Sequence, residues 1–253
     1  MKKESESQDK RETHTDYDAT SHVRDVNGHE IFKNNRLTSQ FLSNYTGIQM
    51  LAGVKPEDIE DVTERYHAFL EIEFESDTIK KVRLHRTDGI PDREIYVISL
   101  IEHKSAVDYD VAMQLFRYMS VIWYDYRMEQ NKKKKDANRR KSFRYPLIIP
   151  FVYYEGKEKW TADLHLKDRI EFAEEMSEYI PDFQYHVVSV QQYTNEELSK
   201  KGDEMALVML MNKIQSPEDW KRFTEEAKEF VDTAYEKAPE EIKEVIVKVL
   251  WHC

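Results

Sequence analysis

The stretch from Ile95 to Ile101, IYVISLI, constrains the fold of this chain more than any other. Consecutive apolar, β-branched and aromatic residues are typical of a strand that is buried on both faces. Charged residues follow at once, in the order Glu102-His103-Lys104. Residues two apart in a strand share a face, so Glu102 and Lys104 are expected side by side at the rim of a core. An acid and an amine at such a place are costly unless they have a role.

Two elements are predicted next to this strand. Asp77–His85 and Glu94–Glu102 are predicted to pair as a hairpin, with a turn that contains Asp88-Gly89. A long helix is predicted from Val107 to Gln130, capped by Ser105 or Asp108. Four apolar positions of that helix recur at helical spacing and are expected to face the sheet: Leu115, Met119, Ile122 and Tyr126.

The rest of the chain continues the alternation of helices and strands. Further strands are predicted at Phe69–Phe74, Pro146–Tyr154 and Tyr185–Val190. Helices are predicted at 30–51, at Leu166–Tyr179, from a capping box Thr194–Glu197 through Ile214, after Ser216-Pro217, and from Pro239 to Trp251. This order predicts an α/β fold with a mixed central sheet flanked by helices and a helical C-terminal extension. We expect a disordered polar segment at 1–28, one domain at 29–193, and a helical region at 194–253.

Composition excludes several classes of protein. The 253 residues carry a formal net charge of -11, so any contact with nucleic acid needs a local basic patch. Cys253 is the single cysteine, which excludes a disulfide framework. The sequence shows no signal peptide and no run of about 18 apolar residues that could span a membrane. We therefore expect a soluble, cytoplasmic protein with no membrane partner.

Asp77, Glu102 and Lys104 are the candidate catalytic residues. Asp77 begins one arm of the predicted hairpin and Glu102 ends the other, so their side chains can meet across it. Carboxylates are suitable ligands for Mg²⁺ or Mn²⁺, the main-chain carbonyl of His103 is a candidate third ligand, and a lysine can orient an attacking water. The alternative is an ordinary surface ion pair at a strand end, which Glu-x-Lys alone does not exclude.

A basic segment is the candidate DNA contact. Seven cations lie between Lys132 and Lys141: Lys132, Lys133, Lys134, Lys135, Arg139, Arg140 and Lys141. They are expected to contact phosphates, the alternative being a solvated flexible loop. Gln114, on the helix after the Glu-x-Lys strand, is a candidate phosphate contact or simply an exposed polar residue.

Several linked motifs resemble the Rpn family of recombination-promoting nucleases, also called YhgA-like putative transposases, of the PD-(D/E)XK nuclease superfamily. The resemblance covers about Phe41 to Ile214. Its motifs, in chain order, are SDTIKKVR at 76–83, YVISLIEHKS at 96–105, MQLFRYM at 113–119, PFVYYEG at 150–156 and YIPDF at 179–183.

The resemblance implies a PD-(D/E)XK restriction-endonuclease-like core at 29–193 and Mg²⁺-dependent DNA endonuclease activity linked to recombination. Asp77 matches the family's metal-binding acid, Glu102 its second acid and Lys104 its third catalytic position. Many members carry glutamine at the third position, and lysine is the general pattern of the superfamily. The alternatives are a nuclease fold that binds DNA or a protein without cutting, and a C-terminal region that serves homo-oligomerisation.

Overall fold

A five-stranded mixed sheet forms the centre of the molecule. The structure is a computed structural model that describes residues 30–70, 77–85, 93–102 and 107–250, with the main chain alone at 67–70, 100–102 and 250. The strands lie in the order of the chain. They are β1 (Ile59–Asp61), β2 (Thr78–Leu84), β3 (Arg93–Glu102), β4 (Ile148–Tyr154) and β5 (His186–Ser189).

Helices cover both faces of this sheet. They are α1 (Asn35–Asn44), α2 (Thr63–Leu70), α3 (Val111–Lys133), α4 (Asn195–Lys201), α5 (Glu204–Asn212), α6 (Pro217–Glu226), α7 (Lys228–Lys237) and α8 (Glu240–Leu250). Short 3-10 turns connect several of them, among them Pro56–Asp58 and Val190–Gln192. In the described ranges, no helix is both long enough and apolar enough to cross a bilayer. The predicted α/β fold with a mixed sheet is confirmed.

The predicted hairpin is confirmed as an antiparallel pair of β2 and β3. Thr78 lies opposite Ser99 and Leu84 lies opposite Arg93. The predicted turn at Asp88-Gly89 lies outside the described residues. Strand β4 is parallel to β3, because α3 carries the chain back across one face of the sheet before β4 begins.

Two hydrophobic cores explain why the strands are apolar on both faces. On one face, Tyr96 and Ile98 of β3 pack with Leu115 and Ile122 of α3. On the other, residues of the same strands pack with α1, α5 and α8. Val97 and Ile98, which are neighbours on β3 and point to opposite faces, are both fully buried. The prediction of a strand buried on both faces is therefore confirmed.

Some predicted local elements are wrong. The predicted strand Phe69–Phe74 begins inside α2, which runs to Leu70, and 71–76 lie outside the described residues. The stretch Leu166–Tyr179 forms two short 3-10 turns rather than a helix, with Phe172 between them in the left-handed region (φ 61). Few of its side chains are buried, so packing does not support a longer helix.

Helix α3 also differs from its prediction in detail. It begins after Asp110, so the predicted cap at Asp108 is wrong, and the alternative, Ser105, lies outside the described residues. The carboxylate of Asp108 instead accepts a hydrogen bond from the main-chain N–H of Asp110 (2.8 Å). Leu115, Met119 and Ile122 are buried as expected. Tyr126 is only half-buried, and its ring lies 6.0 Å from that of Phe143 in the following segment.

The C-terminal helices begin where the sequence predicts, but the first of them is divided in two. The capping box at Thr194 and Glu197 and the cap at Ser216 are confirmed. The single helix predicted through Ile214 is wrong, since the chain breaks at Gly202 (φ 72) into α4 and α5. Helices α5 and α8 contribute to the same core as the sheet. The boundary between residues 193 and 194 stays a prediction.

Candidate active site

Asp77 is a buried carboxylate at the end of the sheet where β2 begins and β3 ends. It immediately precedes β2, and only 2% of the residue is exposed. Two donors from α3 converge on one of its oxygens: the Tyr118 hydroxyl donates to Oδ2 at 2.8 Å and the Gln114 amide Nε2 donates to the same atom at 3.1 Å. Hydrogen bonds of this kind favour the ionised form of a carboxyl group and hold it in one orientation.

Helix α3 supplies both donors because Gln114 and Tyr118 are one turn apart. Side chains four residues apart lie on the same face of a helix. Burial, and then the negative charge of Asp77, raise the pKa of the Tyr118 hydroxyl, which therefore remains a protonated donor. Tyr118 was not predicted as a site residue. The signal that could have identified it is its position four residues after Gln114 on the helix that follows Glu-x-Lys.

Glu102 is the last residue of β3, and its main chain lies opposite Tyr154, the last residue of β4. The Tyr154 side chain is fully buried and packs edge-on against Trp160. Gly156 lies close to it, and any side chain at Gly156 would collide with the Tyr154 ring. The ends of the two strands and the turn that follows β4 are thus closely packed beside the candidate site.

At this same end of the sheet, a hydrogen bond connects the segment that follows β3 with the segment that follows β4. The hydroxyls of Tyr109, just before α3, and Thr161, after β4, are 2.9 Å apart. Both residues are exposed. Ligands in open sheets with parallel strands bind outside the carboxyl ends of those strands, which is where Asp77, the end of β3 and this contact lie.

The structure describes the other predicted catalytic residues only in part. Glu102 has a described main chain, whereas His103 and Lys104 lie outside the described residues. In the part of the chain that the structure describes, no group of three or more histidine, cysteine or acidic side chains is arranged to hold a metal ion. The assignment of Asp77, Glu102 and the His103 carbonyl as metal ligands stays a prediction, as does the role of Lys104.

The basic segment begins on the last turn of α3 and continues through a 3-10 turn at Ala137–Arg139. All seven predicted cations are exposed. Asp136 is the only acidic residue within the segment, and it lies 3.7 Å from Arg139. The segment is exposed and mostly cationic, and its first lysine lies about 21 Å along α3 from Tyr118, at 1.5 Å per residue. Gln114 is half-buried and donates to Asp77, and its contact with DNA stays a prediction.

Comparison with known proteins identifies the family. The sequence pattern of the family described as "Putative transposase, YhgA-like" matches residues 29–242. No curated protein and no solved structure matches the chain significantly. The family match covers most of the chain and confirms the resemblance found in its motifs. The chain therefore belongs to the YhgA-like putative transposase family.

Proposed function

We propose that this protein is a metal-dependent DNA endonuclease with a PD-(D/E)XK-like core. The observation that carries the proposal is the buried carboxylate of Asp77, which Gln114 and Tyr118 hold at the sheet edge where β3 ends in Glu102. A buried carboxylate is costly unless its charge is used, and an oriented one at the carboxyl ends of parallel strands suits a catalytic site. Family membership supports a nuclease or transposase role.

The donor set suits Mg²⁺ or Mn²⁺. Both ions prefer hard oxygen ligands, which the carboxylates of Asp77 and Glu102 and the main-chain carbonyl of His103 would supply. The bound ion would polarise the scissile phosphate and lower the pKa of the attacking water. Gln114 and Tyr118 keep the Asp77 carboxylate oriented, and Lys104 would stabilise the negative charge that develops on the phosphate.

Cleavage of supercoiled plasmid tests this proposal. The wild type is expected to nick or cut DNA in Mg²⁺ or Mn²⁺ and to lose this activity in EDTA. Glu102→Gln and Asp77→Asn are expected to lower the rate by more than about 100-fold, since a catalytic metal contributes several kcal/mol to the barrier. Circular dichroism and thermal unfolding check that both variants fold.

Glu94→Gln is the matched control. Glu94 lies on the same strand as Glu102, is exposed, and pairs with Lys81 at 2.9 Å on the surface. Its neutralisation should leave cleavage unchanged. A wild type that cuts no DNA with either metal, or a folded Glu102→Gln variant that cuts at the wild-type rate, contradicts the proposal.

The basic segment favours a second candidate function, DNA binding without cleavage. Four consecutive exposed lysines, Lys132–Lys135, would contact phosphates in an otherwise acidic protein. Replacing all four with glutamine should weaken DNA binding and make it less dependent on salt. The slope of log K against log salt concentration should become shallower by up to about 0.9 for each phosphate that the variant no longer neutralises. The control replaces four exposed lysines from elsewhere: Lys159, Lys221, Lys228 and Lys237.

The two candidates differ in their response to Glu102→Gln. A nuclease loses cleavage while keeping its affinity for DNA, whereas a binding module shows no cleavage in either form. If the variant at Lys132–Lys135 and the control variant lose the same affinity for DNA, then net charge rather than this segment governs DNA binding.

A further inference from the structure

The chain that joins α3 to β4 folds back along the second half of the helix. The ring of Phe143 lies 6.0 Å from that of Tyr126, and the ring of Tyr145 lies 6.3 Å from that of Trp123. The indole N–H of Trp123 also donates to the main-chain oxygen of Pro146 at 3.0 Å. These contacts fix the returning chain to one side of α3.

Tyr145 is the exposed member of this aromatic cluster. Its ring packs edge-on against that of Phe143, with 5.1 Å between the ring centroids, yet 49% of the residue is exposed. Trp123, Tyr126 and Phe143 are only half-exposed or less, as expected for residues that anchor the chain. A ring that its neighbours hold in place, but that remains open to solvent, loses little conformational entropy when it binds a ligand.

The charges next to this ring are almost all positive. Residues 131–147 include eight lysines and arginines and one acidic residue, Asp136. The side chain of Arg144, which directly precedes Tyr145, is exposed, and its Nη1 donates to the main-chain oxygens of Lys141 and Phe143 at 2.8 and 2.7 Å. These hydrogen bonds hold a guanidinium against the basic segment close to the exposed ring.

The acidic residues of α3 do not cancel this positive charge. The helix contains two of them, Asp125 and Glu129, and Arg65 of α2 pairs with both, at 2.5 and 2.7 Å. Trp123, against which Tyr145 packs, precedes Lys132 by nine residues, or about 14 Å along the helix at 1.5 Å per residue. The exposed ring and the first lysine of the basic segment are therefore close enough for one short strand of nucleic acid to contact both.

Cations and an exposed aromatic ring together favour one form of nucleic acid. Lysine and arginine contact the phosphates of a duplex and of a single strand alike. A ring can stack only on a base that is not already stacked within a duplex, since unstacking a paired base costs a few kcal/mol. Surfaces that combine a cationic track with aromatic rings are typical of proteins that bind single strands.

We propose that this surface, formed by Tyr145, Arg144 and the basic segment, binds single-stranded DNA. The ring of Tyr145 stacks on an unpaired base, while Arg144 and the lysines contact the phosphates. This inference rests on the proposal that the basic segment binds DNA, and it adds the form of DNA that the surface prefers to engage. Because every base has a face that can stack, we expect little dependence on sequence.

Fluorescence anisotropy in EDTA, which prevents metal-dependent cleavage, tests this surface. The probes are a labelled single strand of roughly 12 nucleotides, within the site sizes typical of such proteins, and the same strand in a duplex. Tyr145→Leu, which keeps an apolar side chain but removes the ring, should bind the single strand about tenfold more weakly. Its affinity for the duplex should change by less than about twofold. Tyr145→Phe keeps the ring and should bind both probes as the wild type does.

Tyr179→Leu is the matched control. Tyr179 is 74% exposed and directly follows a stretch that is rich in glutamate, at 171–178. Its replacement should leave the affinity for both probes unchanged. Circular dichroism and thermal unfolding check that each variant folds.

Two results would overturn this inference alone: equal affinity of Tyr145→Leu and Tyr145→Phe for the single strand, or an equal loss by Tyr145→Leu on both probes. The glutamine variant at Lys132–Lys135 separates these results from a failure of the DNA-binding proposal. If that variant binds both probes as the wild type does, or if the wild type binds neither probe, then the DNA-binding proposal fails and this inference fails with it.

Discussion

At the scale of single residues, the Asp77 carboxylate depends on donors that are distant in the sequence. Tyr118 lies 41 residues further along the chain, yet its hydroxyl is 2.8 Å from Asp77. If a buried carboxylate loses such a donor, no hydrogen bond replaces the water that it gave up on folding, and the folded state is destabilised. The helix α3 therefore has a role beyond packing, since one turn of it keeps a charged group in place at the edge of the core.

Tyr118→Phe tests this role, because it removes the donor and keeps the ring. Loss of a buried hydrogen bond to a charged group should lower the free energy of unfolding by about 1.5 kcal/mol. Cleavage of DNA should slow by about tenfold if Asp77 is catalytic. Urea unfolding and plasmid cleavage measure the two effects. Tyr124→Phe, at an exposed tyrosine of the same helix, should change neither, and equal behaviour of the two variants would contradict the assignment.

Asp58 is a second buried carboxyl whose state depends on pH. It accepts from the main-chain N–H of Lys55 at 3.0 Å, and its other oxygen is 2.6 Å from His85 Nε2. Burial alone would raise the pKa of Asp58, but the hydrogen bonds from Lys55 and His85 outweigh it, so the pKa is lowered. The folded state therefore holds this proton less tightly than the unfolded chain does.

The lowered pKa of Asp58 determines how the stability of the protein changes with pH. The stabilisation from Asp58 is fully present above the unfolded pKa of about 4 and is lost as pH falls through the folded value. The difference in free energy of unfolding between wild type and Asp58→Asn should therefore shrink between about pH 5 and pH 2. Urea unfolding at several pH values measures it, and a difference that does not change with pH would contradict the assignment.

At the scale of elements, the chain after Thr194 forms two helices where its hydrophobic pattern suggests one. Gly202 adopts φ 72 between α4 and α5, and Asp203 then caps α5 by accepting from the Ala206 N–H at 2.7 Å. The same carboxylate accepts from the Tyr45 hydroxyl at 2.7 Å and from the Asn44 amide. This break turns α5 so that its apolar residues enter the core, where Met205 to Met211 are buried.

Gly202→Ala should destabilise the protein by about 1–2 kcal/mol, because a Cβ disfavours the left-handed conformation. Apart from the adjacent residues, no atom of the described part of the chain lies within 4 Å of the Cβ position, so the cost is one of backbone conformation rather than of a clash. Gly202→Asn should cost less, since asparagine tolerates this region. Thermal and urea unfolding compare the two variants, and an alanine variant as stable as the wild type would contradict the argument.

At the scale of the whole molecule, the C-terminal helices and the sheet share one core. Ile242 and Ile246 of α8 belong to the same cluster of buried residues as Val97 of β3 and Phe41 of α1. The exposed end of α3 carries the basic segment, and the candidate catalytic carboxylate lies near the beginning of that helix. The fold thus separates a cationic surface from the candidate active site within one body of packed elements.

Ile246→Ala tests whether this core is cooperative. Truncation of a fully buried isoleucine should lower the free energy of unfolding by about 2–4 kcal/mol. Calorimetry should show a single unfolding transition at a lower temperature, because the sheet and α8 are stabilised by the same core. Val247→Ala, at the exposed neighbouring position, should have little effect. Two transitions, of which only one moves, would instead support an independent helical region at 194–253.

Local patterns were sufficient to predict β3, its hairpin with β2, the length of α3 and the caps of the C-terminal helices. These features depend on periodicity, turn chemistry and capping residues that are close together in the chain. Patterns failed at Phe69–Leu70 and Leu166–Tyr179, where tertiary packing rather than local alternation decides the structure. The short strand β1 was also missed, because three residues carry too little periodicity to reveal a strand.

The sequence by itself determined the fold class and the chemistry available to the site, because the strand at 95–101 has to be buried on both faces and its charged end has to lie at an edge. Only the tertiary structure decided which groups hold Asp77, and that Gln114 contacts Asp77. Contacts between residues tens of positions apart depend on how helices pack against the sheet, and local periodicity does not encode that packing.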